Sequence, residues 1–310
     1  MCSTSHTERW GRLYPKFGQG RYMLPADETE CDRLDIFHKF FSIVRARDDS
    51  PFPGLCSHLP SSSHLKILDL GCGTGLWAID MADGLIGQGR TYDIEGWDLS
   101  YMQPLQIPPA VLFRQKDMEV SWDSTGLDSF DLIHMRMLSG SIRRWDRLYN
   151  NTFRHMKAGS GLLEQVEVDW RPRSDVNESL MRETSLCEWS DKLQEGFDRA
   201  GMPLDLAMNR EDLMRHAGFV DIEHREVIVP LNRWPATEEL RNIARWFHLG
   251  FTQGLEALTL KPLIQWLDIP EQDVRDLIDR VKNDSCRRQL RPYCILHIWI
   301  ARKPLPPHPN

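Results

Sequence analysis

The sequence has no CxxC pair, and its 7 cysteines are scattered and odd in number: Cys2, Cys31, Cys56, Cys72, Cys187, Cys286 and Cys294. That spacing suits neither a thiolate zinc site nor a disulfide framework, so reduced thiols in the cytoplasm or nucleus, and no metal, are expected. No apolar run approaches the roughly 18 residues of a membrane span. The opening MCSTSHTERWGR has no apolar stretch of the kind a secretory signal requires. Positive charge is not in excess: 38 Lys and Arg stand against 45 Asp and Glu, a formal net charge of −7. No direct nucleic-acid binding by the whole chain is therefore expected. Internal repeats and low-complexity tracts are also missing, apart from the terminal KPLPPHPN.

What is present is the composition of an ordinary globular protein, 41% hydrophobic and 27% charged over 310 residues,. Residues 1–60 read as an N-terminal arm, with Arg9, Arg12, Lys16 and Arg21 among aromatics, followed by a cap helix. That helix carries Leu34, Phe37, Phe41 and Val44 at helical spacing, and the breaker-rich linker DDSPFPGLCSHLPSSS follows it. Residues 61–236 alternate strand and helix. LKILDL, TYDIEGWDLS ending at Asp98, AVLFRQKD ending at Asp117, FDLIHMRM and GLLEQVEVDW read as strands. A helix bearing Trp145, Leu148, Thr152 and Met156 is expected to close at Gly159, and NREDLMRHAGF to start on Asn209 as N-cap. Residues 237–290 read as a helical insert or lid, with Pro270 at the first position of its second helix. Residues 291–310 supply a last strand and a tail. This pattern predicts an α/β fold with a doubly wound sheet.

The stretch ILDLGCGTGLW, residues 67–77, ends a strand in three glycines at alternate positions. It is not a phosphate-binding loop of the GxxxxGK[ST] type, because no lysine follows Gly75. A nicotinamide fingerprint would need a glycine where Leu76 stands. What remains is Asp69-x-Gly71-x-Gly73-x-Gly75, with Asp98 roughly 25 residues further on, at the end of the next strand. An acid there can accept from both ribose hydroxyls, and Asp117 can accept from an adenine amino group beside Met118. The ligand these residues fit is S-adenosylmethionine (SAM).

DLGCGTGLWAIDMA, the acid of WDLS and FDLIHMRM resemble class I SAM-dependent methyltransferases over about residues 60–230. GRYMLPADETECDRLDIFHKFF, GCGTGLWAID, LEQVEVDWRPR and ILHIWIARKP resemble the fungal LaeA-like methyltransferases over nearly the whole chain. The resemblance implies a Rossmann-like seven-stranded sheet that includes the final strand, with a helical cap and insert. It implies that Asp69, Gly71, Gly73 and Gly75 hold the methionine part of SAM, Asp98 the ribose, and Asp117 with Met118 the adenine. Tyr22 and Met23 would cover the cofactor, and Cys72, Leu99 and His134 are assigned to the same site. Through this family the chain is expected to act in fungal development and secondary metabolism, in nucleus and cytoplasm. Its expected partners are a velvet-type regulator or a sister methyltransferase.

Methyl transfer from a sulfonium is an in-line displacement, which needs a base only when the acceptor must lose a proton. His134, ending the fourth strand, is one candidate base. Gln165, Glu167 and Asp169 share a face of the fifth strand and make Glu167 the other. Trp170 is a candidate wall for a cationic group, and Cys72 reads as a space-filling residue. No Asn-Pro-Pro-Tyr run stands at the fourth strand, so adenine-N6 and glutamine acceptors lose support. Two readings stay open: an active methyltransferase on a protein or small molecule, and a catalytically weak scaffold subunit of a regulatory complex.

Overall fold

A computed structural model describes residues 6–16, 22–46, 59, 64–120, 122–123, 125–176, 178–204 and 210–306. Most of the linker 48–63, the N-cap expected at Asn209 and residues 307–310 lie outside the described residues. The chain opens with a hairpin, β1 (His6–Arg9) and β2 (Arg12–Pro15), where the sequence suggested only an arm. Arg12 locks it down by donating to both Asp27 oxygens at 2.8 and 2.7 Å. Asp27 is also the N-cap of α1 (Glu28–Arg45), accepting from the Glu30 amide at 3.0 Å. One carboxylate thus satisfies an orphan helix amide and pins the hairpin to the helix.

The sheet contains β3 (His64–Leu70), β4 (Thr91–Asp98), β5 (Val111–Gln115), β6 (Leu132–Arg136), β7 (Leu162–Ser174), β8 (Val220–Pro230) and β9 (Pro292–Arg302). It is 7-stranded in the order β5-β4-β3-β6-β7-β9-β8. β3 through β7 pair in parallel, whereas β9 slots antiparallel between β7 and β8. The near-continuous apolar run of β3 follows from burial on both faces,. The crossovers carry α2 (Leu76–Gly87), α3 (Trp145–His155), α4 (Glu178–Arg182), α5 (Ser185–Arg199) and α6 (Arg210–Ala217). Between β8 and β9 lie α7 (Glu238–Lys261), a π-turn at Pro262–Trp266, and α8 (Glu271–Ser285).

α1 crosses α7 closely. A Cβ on Gly250 would stand 2.9 Å from the Phe37 ring, so only glycine permits that approach. Phe37, Phe40, Phe247 and Phe251 form the aromatic centre of this layer. The opposite face of the sheet packs on α3 and α6 through Trp97, Tyr149, Met214 and Trp299.

Several boundaries differ from the sequence reading. α3 is capped by Met156 in extended conformation, and Gly159 (φ 78°) belongs to the following turn, its amide bonded to Lys303 O at 3.0 Å. Pro270 is the N-cap of α8 rather than its first helical residue. α4 and α5 were not foreseen. Trp189 of α5 donates to Thr259 of α7 at 2.8 Å, which joins this pre-β8 segment to the helical layer of the insert. Among the described residues, no helix is long and apolar enough to cross a membrane.

Candidate functional site

β3 stops at Leu70, and the chain turns through Gly71, Gly73 and Gly75 at φ of 70°, 53° and 79° before α2 begins. These left-handed positions demand glycine. A Cβ on Gly71 would collide with Leu138, and one on Gly73 would press Leu34 of α1 at 3.0 Å. The loop is tied to the end of β4: the amides of Gly71 and Cys72 donate to Trp97 O at 2.8 and 3.1 Å. Asp98 then accepts from the Gly73 amide at 2.8 Å and the Ser100 amide at 3.0 Å. Burial raises the Asp98 carboxyl to about 6, against the pull of these amides,.

The turn opens on a cavity with ≈ 940 Å³ of empty space, counting its mouth. Its floor is Gly71, Gly73, Asp98 and Leu99, and Asp117, Met118 and Glu119 wall one side. The roof is Tyr22 with Glu30, Arg33 and Leu34 of α1. The far end is Arg136, the last residue of β6, with Met137 to Ser139 after it, Glu167 and Trp170 of β7, and Leu258 of α7. Arg33 and Glu30 form a bidentate pair at 2.8 and 2.5 Å, with side chains only 2% and 3% exposed. Arg33 Nη1 and Ser139 Oγ are buried without a hydrogen-bond partner. Burial raises the Tyr22 phenol, and the Asp98 charge adds to that shift.

Tyr22, Gly71, Gly73, Asp98, Leu99, Asp117, Met118 and Glu167 thus converge on this space. Other expected residues do not line it. Met23 is fully buried in the core, and Gly75 backs onto the Phe113 ring. Cys72 faces Gln103 and Gly96, its thiol raised well above the ordinary value by burial, so it is filler rather than a nucleophile.

His134 is corrected most clearly. It lies in register between Asp69 of β3 and Glu164 of β7, in the middle of the sheet. Its ring stacks on Trp77 of α2 at 3.8 Å, and Nδ1 lies 2.8 Å from Asp69 Oδ1. Burial holds His134 well below its ordinary pKa and raises Asp69 to about 7. The neutral ring and the Asp69 carboxyl share one hydrogen bond, and neither residue lines the cavity. The reason is pleat parity: the side chains of Asp69 and His134 fall on the α1–α2 face.

Glu167 does face the cavity, but as a clamp. Its oxygens accept from the Leu138 and Ser139 amides, each at 3.1 Å, and Gln165 donates to it at 3.1 Å. It therefore fixes the loop after β6. Burial raises its carboxyl, and Arg210 opposes that shift. Asp169 is paired with Arg173 at 2.7 Å. Trp170 lines the cavity yet packs edge-on against Phe37, so it is wall and core together.

Sequence reasoning missed Glu30 and Arg33, although their i,i+3 spacing permits the pair,. It also missed Glu164, fully buried and bonded to Arg45 of α1 at 2.6 Å.

A family profile described as a methyltransferase domain matches residues 42–224. The chain is 41% identical to the secondary metabolism regulator LAE1 of Cochliobolus heterostrophus, over 95% of this chain and 94% of that one. It is 38% identical to the LAE1 regulator of Gibberella fujikuroi, over 96% and 92% of the two chains. With the regulator laeA of Aspergillus fumigatus it shares 37% identity over 95% of this chain and 76% of the relative. Among solved structures, phosphoethanolamine N-methyltransferase 2 of Haemonchus contortus, in complex with SAM, superposes with TM-score 0.50 at 18% identity. That match covers 94% of this chain and 62% of the other, and shows the fold.

Proposed function

Because the chain belongs to the LaeA/LAE1 family of methyltransferase-domain secondary metabolism regulators, we propose that its cavity binds SAM and transfers the methyl group to a protein or small-molecule acceptor, in the service of that regulation. The carrying observation is the glycine turn locked to Asp98 at the floor of a covered cavity. The residues fit the cofactor. Bare backbone at Gly71 and Gly73 gives close approach, and Asp98 offers a carboxylate for ribose hydroxyls. Asp117 and Met118 line the side suited to adenine. Arg33 brings a fixed cation with a buried, unpaired Nη1 for the methionine carboxylate.

Bound SAM supplies an electrophilic methyl group on a sulfonium. The protein's own contribution is orientation and exclusion of water. Tyr22 and Leu34 roof the space, Leu258 closes its far end, and Glu167 holds the Leu138–Ser139 backbone against it. Orientation of this kind can supply much of the acceleration. Five carboxylates stand among the described residues lining the cavity, and each accepts from the protein: Glu30 from Arg33, Glu167 from two amides, Glu119 from the Arg143 and Arg144 amides at 3.0 Å, Asp98 from the Gly73 and Ser100 amides, and Asp117 from the Glu119 amide at 2.8 Å. This favours an acceptor that needs no fixed base, such as a neutral amine or a thiolate.

The regulatory setting is a complex with a velvet-type protein or a sister methyltransferase, in nucleus and cytoplasm. The exposed Tyr101 and Leu105 after β4, and Leu112 on edge strand β5, support an apolar contact surface,. The test is transfer of labelled methyl from SAM in extracts of the source cells, with the purified chain added alone and with a co-expressed partner. Labelled acceptor formed by the wild type and absent with Asp98→Ala is the expected result. No transfer in either setting would overturn the enzymatic reading and leave a scaffold.

A further inference from the structure

At the sheet edge away from the cavity, β8 and β9 bring together side chains that the methyltransferase reading leaves unused. Glu226 is paired directly with His297, and His224 lies two residues before Glu226 on the same face, opposite Trp299. We propose that His224, Glu226 and His297 form a binding site for a divalent transition-metal ion of the zinc type.

The ligand atoms of these residues all lie within 4.8 Å of one another. His224 Nε2 is 2.9 Å from His297 Nδ1, and Glu226 Oε1 is 3.6 Å from the same nitrogen. In a tetrahedral zinc site, with metal–ligand bonds of about 2.0–2.2 Å, neighbouring donors stand roughly 3.3–3.5 Å apart. The two separations from His297 Nδ1 bracket that value, and all three donors fall within 4.8 Å, so side-chain adjustment alone would close the site.

The supports around the donors point the same way. His224 Nδ1 lies 3.2 Å from Glu211 Oε1 of α6, an arrangement in which a carboxylate fixes the imidazole tautomer and leaves Nε2 with its lone pair at the site,. His297 Nδ1–H then fills the gap by donating to His224 Nε2. An incoming ion takes the place of that proton, which moves to His297 Nε2, so both rings stay neutral. Trp299 stacks on the His224 ring at 4.6 Å and on the His297 ring at 5.4 Å, nearly parallel to each, which restrains both rotamers.

His224 and Glu226 are exposed, so ions have an entry path and water can take a fourth position. Two imidazoles and one carboxylate suit zinc, nickel or copper better than magnesium or calcium, which prefer all-oxygen shells. The ion would cross-link the edge strand β8 to β9, and through Glu211 to α6. Cysteine counting could not find this site, because two of its donors are histidines brought together by strand register.

The experiment is titration of chelator-stripped, tag-free protein with zinc, by calorimetry, and with cobalt, followed by its visible absorption. The expected result is one ion per chain, with affinity lowered at least about tenfold by His224→Ala and by His297→Ala. Should His297→Ala fail to fold, the exposed Glu226→Gln serves instead and should show the same loss. SAM affinity should be unchanged in His224→Ala and Glu226→Gln. Absence of saturable binding by the wild type, or stoichiometric binding that survives His224→Ala and Glu226→Gln together, would overturn the proposal.

Discussion

Replacing Asp98 by asparagine keeps the shape of the floor and removes its charge. In the wild type the two carboxylate oxygens hold the Gly73 and Ser100 amides at 2.8 and 3.0 Å, leaving further lone pairs for the cofactor ribose. Asparagine can accept from one amide but opposes an NH2 to the other. One unpaired donor costs about 1–3 kcal/mol of stability. A hydrogen bond from ligand to a charged group contributes about 1.5–3 kcal/mol, so SAM affinity should fall roughly 10- to 150-fold.

The same carboxyl predicts a pH dependence. Burial sets it at about 6 in the unliganded protein. Below that pH a proton must be displaced before the ribose can bind, so wild-type affinity should drop about tenfold per unit, while Asp98→Asn stays flat. The stability sign is opposite to that of an ion-paired acid. The folded state binds this proton more tightly than the unfolded chain. The contribution of Asp98 therefore makes stability fall as pH rises from the ordinary carboxylate value, near 4, to about 6, and leaves it level above. Calorimetry with SAM at pH 5 and pH 7 on both proteins reads the effect. Wild-type affinity that does not change with pH, or Asp98→Asn within threefold of wild type at pH 7, would refute the reasoning.

Gly73→Val should drive a side chain against Leu34 and force a branched residue into the left-handed region. SAM binding should vanish while the far-ultraviolet dichroism of the sheet remains,. Glu167→Gln should lower the melting temperature, at a cost of about 1–3 kcal/mol for a misfit amide. It should slow methyl transfer with little change in SAM affinity; an equal loss of both would contradict its role as a loop clamp. His134→Phe should destabilise the sheet by leaving Asp69 buried and unpaired. The pH profile of transfer should keep its shape, whereas loss of one limb would restore His134 as a base. Arg33→Met strands Glu30 in the core and should cost about 3–5 kcal/mol in chemical denaturation; joint replacement of both residues should cost less,.

The parts legible in the sequence were those written locally. The glycine turn from Gly71 to Gly75 is contiguous, and Asp98 follows because parallel strands present their ends together, so Gly71, Gly73 and Asp98 could be singled out before any coordinates, whereas Asp69 and Gly75 turn out to face away from the cavity. The doubly wound α/β class followed from the alternation of elements, the seventh strand came only through the family resemblance, and the antiparallel place of β9 between β7 and β8 needed the structure. His134 was misplaced because it stands in the middle of β6, two residues before its end, and the pleat turns its side chain toward Asp69 and Trp77 rather than into the cavity. Tyr22 was expected over the cofactor through the resemblance, but the part of the roof formed by Glu30, Arg33 and Leu34 was illegible because it depends on α1 lying over the turn, which is set by contacts with α7 such as Phe37 against Gly250. α5 had a readable signal, since Leu186, Trp189, Leu193 and Phe197 recur at helical spacing and are all buried. The histidines of β8 and β9 needed the register of two strands separated by the whole helical insert.

The most direct measurement is calorimetric titration of the purified chain with SAM, with its demethylated product and with NAD. The account predicts saturable, single-site binding of SAM and product, and none of NAD. Binding of NAD, or failure of SAM to bind both the isolated chain and the chain co-purified with its partner, would contradict it.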